Sequence, residues 1–238
     1  MTEALFRGDP YATEAEGTVL RQTDEGGIVL DRSVFYPTGG GQAGDSGSLT
    51  WDAGACVIAN TVKAGDDIAL IPAEGAVPPA AGTKVRQTLD WDARHRMMRL
   101  HTALHLLSVV IPLPVTGGQI TPLKGRLDFN MPDAPEDKSA LEVALNALIA
   151  ADHPVSETWI TDEELAANPG LVKTMSVAPP TGAGRVRLVR IGAEDAPVDL
   201  QPCGGTHVRT TAEIGPVTLG KIEKKGRQNR RVNVTLAA

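Results

Sequence analysis

Cysteine is scarce in this sequence: Cys56 and Cys203 are the only two in 238 residues. Two thiols in a chain of this length make no disulfide framework, which excludes a small secreted fold held by bridges. A reduced thiol is then free to bind metal. Long apolar runs are missing too. None approaches the roughly 18 residues that a membrane-spanning helix needs. The N-terminus, MTEALFRGDPYATEAEG, has neither the basic start nor the apolar stretch of a secretory signal. A cytoplasmic location is therefore expected.

Positive charge is also not in excess. The formal net charge is -6, which speaks against a uniformly basic nucleic-acid-binding protein. The charge is uneven, however. Residues 1–90 carry 6 Lys+Arg against 13 Asp+Glu, and residues 91–238 carry 17 against 16. A basic surface is expected only in the second part.

The remaining composition, 42% hydrophobic and 22% charged, is that of a globular protein. Its length suits one large domain or two smaller ones. Residues 1–90 read as β structure. Thr18–Thr23 and Ile28–Arg32 are β-favouring runs separated by a hairpin turn at Asp24–Gly27. Ser48–Trp51, Cys56–Val62, Ile68–Ile71 and Lys84–Leu89 are further strands, densely punctuated by Gly and Pro. A small barrel is the expected architecture. Near Asp90 the pattern changes. Leu100, Leu104, Leu107 and Ile111 recur at helical spacing over Asp92–Val110, until Pro112 and Pro114 end the helix. Glu136–Ala151 is a second helix, with Leu141, Leu145, Leu148 and Ile149 on its apolar side. Strands are expected at Gly125–Asn130, Val155–Ile160, Arg185–Ile191, Val217–Ile222 and Val232–Leu236. Residues 91–238 thus read as a two-layer α/β domain with a mainly antiparallel sheet, and the whole chain as α+β.

Two short motifs carry the chemistry. In His101-Thr-Ala-Leu-His105 the histidines lie four apart on one helix, so both imidazoles reach the same place. In Cys203-Gly-Gly-Thr-His207 two glycines let the backbone fold back and return the histidine beside the thiol. Three imidazoles and one thiolate form a borderline-soft set suited to zinc. The glycine-rich loop has little apolar content of its own, so metal binding is expected to order it. Random placement of five histidines gives an HxxxH about 8% of the time, but both motifs together only on the order of 0.3%. His95, among Arg94, Arg96 and Arg99, and His153, before Pro154, are left outside the site.

HTALHLL at His101–Leu107 together with CGGTH at Cys203–His207 resembles the alanyl-tRNA editing family. That family comprises the editing domain of alanyl-tRNA synthetase and freestanding AlaX-like proteins. Asp199-Leu-Gln-Pro-Cys203, Glu213-Ile-Gly, Gly125-Arg-Leu-Asp-Phe129 and Gly226-Arg-Gln-Asn-Arg-Arg231 are similar to family sequence as well. So is the glycine-rich segment Phe35-Tyr-Pro-Thr-Gly-Gly-Gly-Gln42, followed by Gly44, Asp45 and Gly47. The resemblance covers nearly the whole chain. With no aminoacylation segment upstream, a freestanding editor is expected.

The resemblance implies a β-barrel beside an α/β editing domain. It also implies hydrolysis of the ester joining serine or glycine to tRNA(Ala), with His101, His105, Cys203 and His207 as the zinc ligands. Gln119 matches the glutamine that follows the helix in related editing domains. A pocket that hydrogen-bonds the serine hydroxyl rejects alanine by roughly 10⁴ or more, and Thr102 and Gln119 are the expected polar partners. Gly39, Gly40 and Gly41 read either as a turn needing no ligand or as a close approach to the acceptor stem. The resemblance favours the second. Lys224, Lys225, Arg227 and Arg230, within a run opposed only by Glu223, are the expected phosphate contacts, joined by Lys124 and Arg126. Four protein ligands normally describe a closed zinc site, so the residues name no general base. Two other readings stay open: a metal-dependent esterase or amidase of a small molecule, and an RNA-binding module with a structural zinc.

Overall fold

The computed structural model describes residues 1–135, 137–174 and 184–237. The fold is α+β: an antiparallel barrel comes first, and helices with antiparallel sheets follow. The chain divides into two compact units, Met1–His95 and Arg96–Ala238.

The first unit carries β1 (Glu3–Ala4), β2 (Glu14–Gln22), β3 (Ile28–Leu30), β4 (Arg32–Ser33), β5 (Gly47–Trp51), β6 (Gly54–Ala64), β7 (Asp67–Pro72) and β8 (Lys84–Leu89). A short parallel pair joins β1 to β4. The other six close in the order β2-β3-β7-β6-β5-β8, with β8 returning to β2. Closure removes the unpaired edges that an open sheet would expose. Period-two alternation fills the interior: Val85, Gln87 and Leu89 point inward along β8. On β6 the inward positions run Cys56, Ile58 and then Thr61, because the register shifts between Ile58 and Asn60. Leu30, Phe35, Leu49 and Leu70 complete a fully buried core.

The second unit is built from α1 (Trp91–Val110), which begins in the first, followed by β9 (Val115–Ile120), β10 (Gly125–Asn130) and α2 (Lys138–Ala150). Then come β11 (Val155–Thr161), α3 (Asp162–Ala167), β12 (Arg185–Gly192), β13 (Pro197–Pro202), β14 (Val217–Leu219), β15 (Glu223–Lys224) and β16 (Asn229–Leu236). Among the described residues, one sheet has the order β14-β16-β10-β9 with β15 also on β16, and a second has the order β11-β12-β13.

From Leu100 to Ser108 α1 is buried all round, not on one stripe. Its polar members there, His101, Thr102, His105 and Ser108, therefore need partners inside the protein. α2 starts at Lys138 because the Asp137 carboxylate caps it, accepting from the Ala140 amide at 2.9 Å. Glu136, the expected first residue, lies outside the described residues. The helix runs along the edge strand β14. The Asn146 amide bonds both backbone groups of Val217, and Glu142 accepts from the Leu219 amide at 2.7 Å. Those bonds satisfy an edge that would otherwise be open. The strand expected over Val217–Ile222 stops at Leu219. Three residues there, Gly220 to Ile222, face two on β16 before pairing resumes at Glu223, which makes a bulge.

Candidate metal centre

His101 and His105 project from the buried part of α1, and Cys203 and His207 bracket the loop that leaves β13. One ligand atom from each of the four lies within 4.8 Å of every other. Cys203 Sγ is 3.4 Å from His101 Nε2 and 3.2 Å from His207 Nε2. Bonds of about 2.0–2.3 Å to one tetrahedral zinc ion would set its donors about 3.3–3.6 Å apart. The donor chemistry fits that ion, and the two contacts of the Cys203 sulfur come close to that spacing.

Neighbouring groups aim the rings. His105 Nδ1 is 2.9 Å from Asp199 Oδ2, so its Nε2 is left for the cluster. The Thr102 hydroxyl donates to the Met98 carbonyl at 3.0 Å and lies 3.1 Å from His207 Nδ1. A hydroxyl has one proton, so Thr102 accepts from His207 Nδ1–H and leaves Nε2 bare. The Cys203 loop is tied down as well. Arg187 Nη1 donates to the Cys203 carbonyl at 2.7 Å and to the Gly205 carbonyl at 3.1 Å, while its Nε is held by Glu157.

Charge is strongly coupled here. Burial would raise the Cys203 thiol, but the His101 and His207 charges and the hydrogen bonds from the histidines bring it well below its usual value. Burial would lower His105, yet hydrogen bonds to Asp199 and Cys203 and the charge on both push it up to about 9. Burial and the neighbouring His101 carry His207 down to about 3. Burial would raise Asp199, but His105 and Lys173 hold it down at about 2. A thiol held low in this way is the donor that a metal cation would take over.

The other expected site residues fall in different places. The Thr102 hydroxyl is buried and engaged by Met98 and His207, so here it serves a ring of the cluster. Gln119 lies exposed on β9, where its carbonyl accepts from Arg126 Nε at 3.2 Å. In the first unit, Gly39 and Gln42 pair across a two-residue turn. Gly40 and Gly41 at its tip have φ of 58° and 85°, which suits a tight hairpin turn and favours glycine. The Tyr36 hydroxyl fixes the turn by donating to the Gly39 carbonyl at 2.9 Å. A Cβ at Gly44 would lie 2.0 Å from the Thr61 carbonyl, so that glycine is required by packing.

The basic residues do not form one patch. Lys224, Lys225 and Arg227 are exposed on the β15–β16 hairpin, with Lys225 also paired to Glu223 at 2.7 Å. Arg230, expected on the same face, is 9% exposed. Alternation along β16 turns it inward, opposite Phe129, and its guanidinium caps the Pro132, Gly226 and Asn229 carbonyls. Lys124 sits before Gly125, at the other end of the β10–β16 ladder from Asn130. Five steps along the strand, about 17 Å, separate those ends. Arg126 is half-buried and bonded to Asp128 at 2.7 Å.

Three residues that sequence reasoning passed over belong to the site's surroundings: Asp199, Gln201 and Arg187. A signal for two of them existed. Asp199 and Gln201 alternate inward along β13, and Cys203 follows two positions on, just past the strand's end.

Comparison with known proteins gives two family matches. Residues 186–233 match the threonyl and alanyl tRNA synthetase second additional domain, and residues 10–93 match the class II (A) tRNA synthetases. An alanyl-tRNA editing protein AlaX-M of Methanosarcina acetivorans is 35% identical over 247 residues, spanning 99% of both chains. The AlaX-M protein of Methanosarcina barkeri is 37% identical over 245 residues, again spanning 99% of both. An alanine–tRNA ligase of Pyrobaculum aerophilum is 34% identical over 232 residues, a match that spans 94% of this chain and 25% of that ligase.

Proposed function

The chain belongs to the alanyl-tRNA editing family, and from that premise we propose that it is a zinc-dependent deacylase that removes serine or glycine from tRNA(Ala). The observation that carries the zinc part is the convergence of His101, His105, Cys203 and His207, each offering a donor atom within 4.8 Å of the others. A zinc ion held there supplies Lewis acidity toward an ester carbonyl or a water.

The chain's own residues do the rest. His101, His105 and His207 direct ring nitrogens toward one point, with Asp199 and Thr102 behind two of them. The buried wall of α1 excludes bulk water from that point, which strengthens every charge interaction there. Phosphate contact falls to the exposed Lys224, Lys225 and Arg227, with Lys124 and Arg126 as separate contacts farther along the sheet. The rigid Gly39–Gly41 turn presents bare backbone to the acceptor stem, and Gln119 contacts the substrate end. On this reading residues 1–90 select the tRNA and residues 91–238 hydrolyse the ester.

A second reading is favoured by one observation. Four protein donors fill a tetrahedral shell, which is the pattern of a structural zinc in a binding module. Turnover separates the two. The protein is incubated with tRNA(Ala) charged with serine, glycine or alanine, and ester loss is followed. Loss of the serine or glycine ester with the alanine ester retained is expected. Retention of all three leaves the binding module, and loss of all three at equal rates removes the editing selectivity.

A further inference from the structure

Asp199 is a carboxylate in an expensive place. It is 3% exposed, at the middle of β13. A charge so deep is tolerated only when its oxygens are fully bonded. Here both are. Oδ2 takes the His105 Nδ1 contact at 2.9 Å and the Gln201 amide at 2.8 Å, and Oδ1 takes the Lys173 ammonium. Gln201 is in turn placed by Ser108 of α1, whose hydroxyl lies 3.4 Å from its Nε2. The carboxylate therefore has one fixed orientation, and the group it directs is a histidine of the donor cluster.

Resting on the zinc reading above, we propose that Asp199, braced by Lys173 and Gln201, is a positioning residue that fixes His105. By accepting from Nδ1–H it sets the ring's tautomer and its tilt, so that Nε2 alone points at the donor cluster. A histidine ligand backed by a carboxylate is a better donor than one whose other nitrogen is free. A purely structural ion pair between Asp199 and Lys173 would stabilise β13 without touching metal affinity. The two roles therefore part in a metal-binding measurement.

The test uses the full chain and zinc itself, in competition with a coloured chelator at fixed pH. Asp199→Ala is expected to weaken zinc binding by about 10–100-fold. Asp199→Asn keeps an oxygen that accepts from Nδ1 but loses the charge, and is expected near the lower end, about tenfold. If Asp199→Ala does not fold, Asp199→Asn decides the question. Glu142→Gln, which removes a carboxylate that bonds the Leu219 amide elsewhere in the same unit, is expected to leave zinc affinity unchanged. With cobalt in place of zinc, the visible bands of the Asp199 variants should shift while the thiolate-to-cobalt band persists, because Cys203 is untouched. Wild-type zinc affinity in both Asp199 variants, or an equal loss in Glu142→Gln, overturns the proposal. Failure of the unaltered protein to bind zinc overturns the zinc reading itself and this inference with it.

Discussion

Arg187 donates to the carbonyl oxygen of Cys203 at 2.7 Å, tying the loop that carries the thiol to the middle of β12. The same nitrogen reaches the Gly205 carbonyl, and Cys203 returns the tie by donating its amide to the Arg187 carbonyl at 3.2 Å. A loop rich in glycine, expected to be ordered by metal, is thus held by the protein as well. Arg187→Met leaves two carbonyls without their donor, at a cost of about 1–3 kcal/mol. Amide exchange over Gly204 to His207 should accelerate in the metal-free protein. Unchanged protection of that segment would show that Arg187 is not its anchor.

The basic hairpin and the buried arginine beside it should behave differently. Replacing Lys224, Lys225 and Arg227 together with Ala should flatten the salt dependence of tRNA binding, its slope falling by about 1 for each phosphate no longer neutralised. Arg230→Ala should leave that slope alone and lower the melting temperature, because its guanidinium satisfies backbone carbonyls inside the unit. A flattened slope in Arg230→Ala with stability intact would return it to the binding face.

Within the first unit, Arg94 and Asp45 form an ion pair with side chains 0% and 1% exposed. Arg94 also holds the Val34 and Pro10 carbonyls, and Asp45 takes the Tyr36 amide. Removing one partner strands a buried charge. Arg94→Met or Asp45→Asn should each destabilise by about 3–5 kcal/mol in urea unfolding. A change below about 1 kcal/mol would mean that the stranded group finds water.

His105→Ala and Cys203→Ala should both lose zinc, with different effects on structure. α1 is buried on every side around His105, so its helicity should survive the loss of one ring. Elemental analysis and circular dichroism read the two effects separately. A Cys203→Ala protein that keeps its zinc would point to a three-histidine site.

The barrel strands alternate between inward and outward residues, and α1 and α2 carry helical spacing, so pattern alone makes them legible in the sequence. The four donors are legible because i, i+4 spacing and a glycine-rich return are geometric statements. β9 is hidden because Gly117 and Gly118 interrupt its apolar pattern. β13 is hidden because Pro197 and Pro202 bound it, as suits the edge position it holds among the described residues. The inward turn of Arg230 follows from strand register, which a run of basic residues conceals. Asp199 sits in a recognisable motif, but its role depends on a contact 94 residues away along the chain, to His105. Alternation along β13 marks its side of the strand, but no local pattern names its partner.

Whether ester hydrolysis depends on the metal is the most direct test of a zinc-dependent deacylase. Seryl-tRNA(Ala) is given to the protein as purified, to protein stripped by a chelator, and to stripped protein resupplied with one equivalent of zinc. The expected result is hydrolysis in the first, none in the second, and recovery in the third. Full activity in the verified metal-free protein would contradict it.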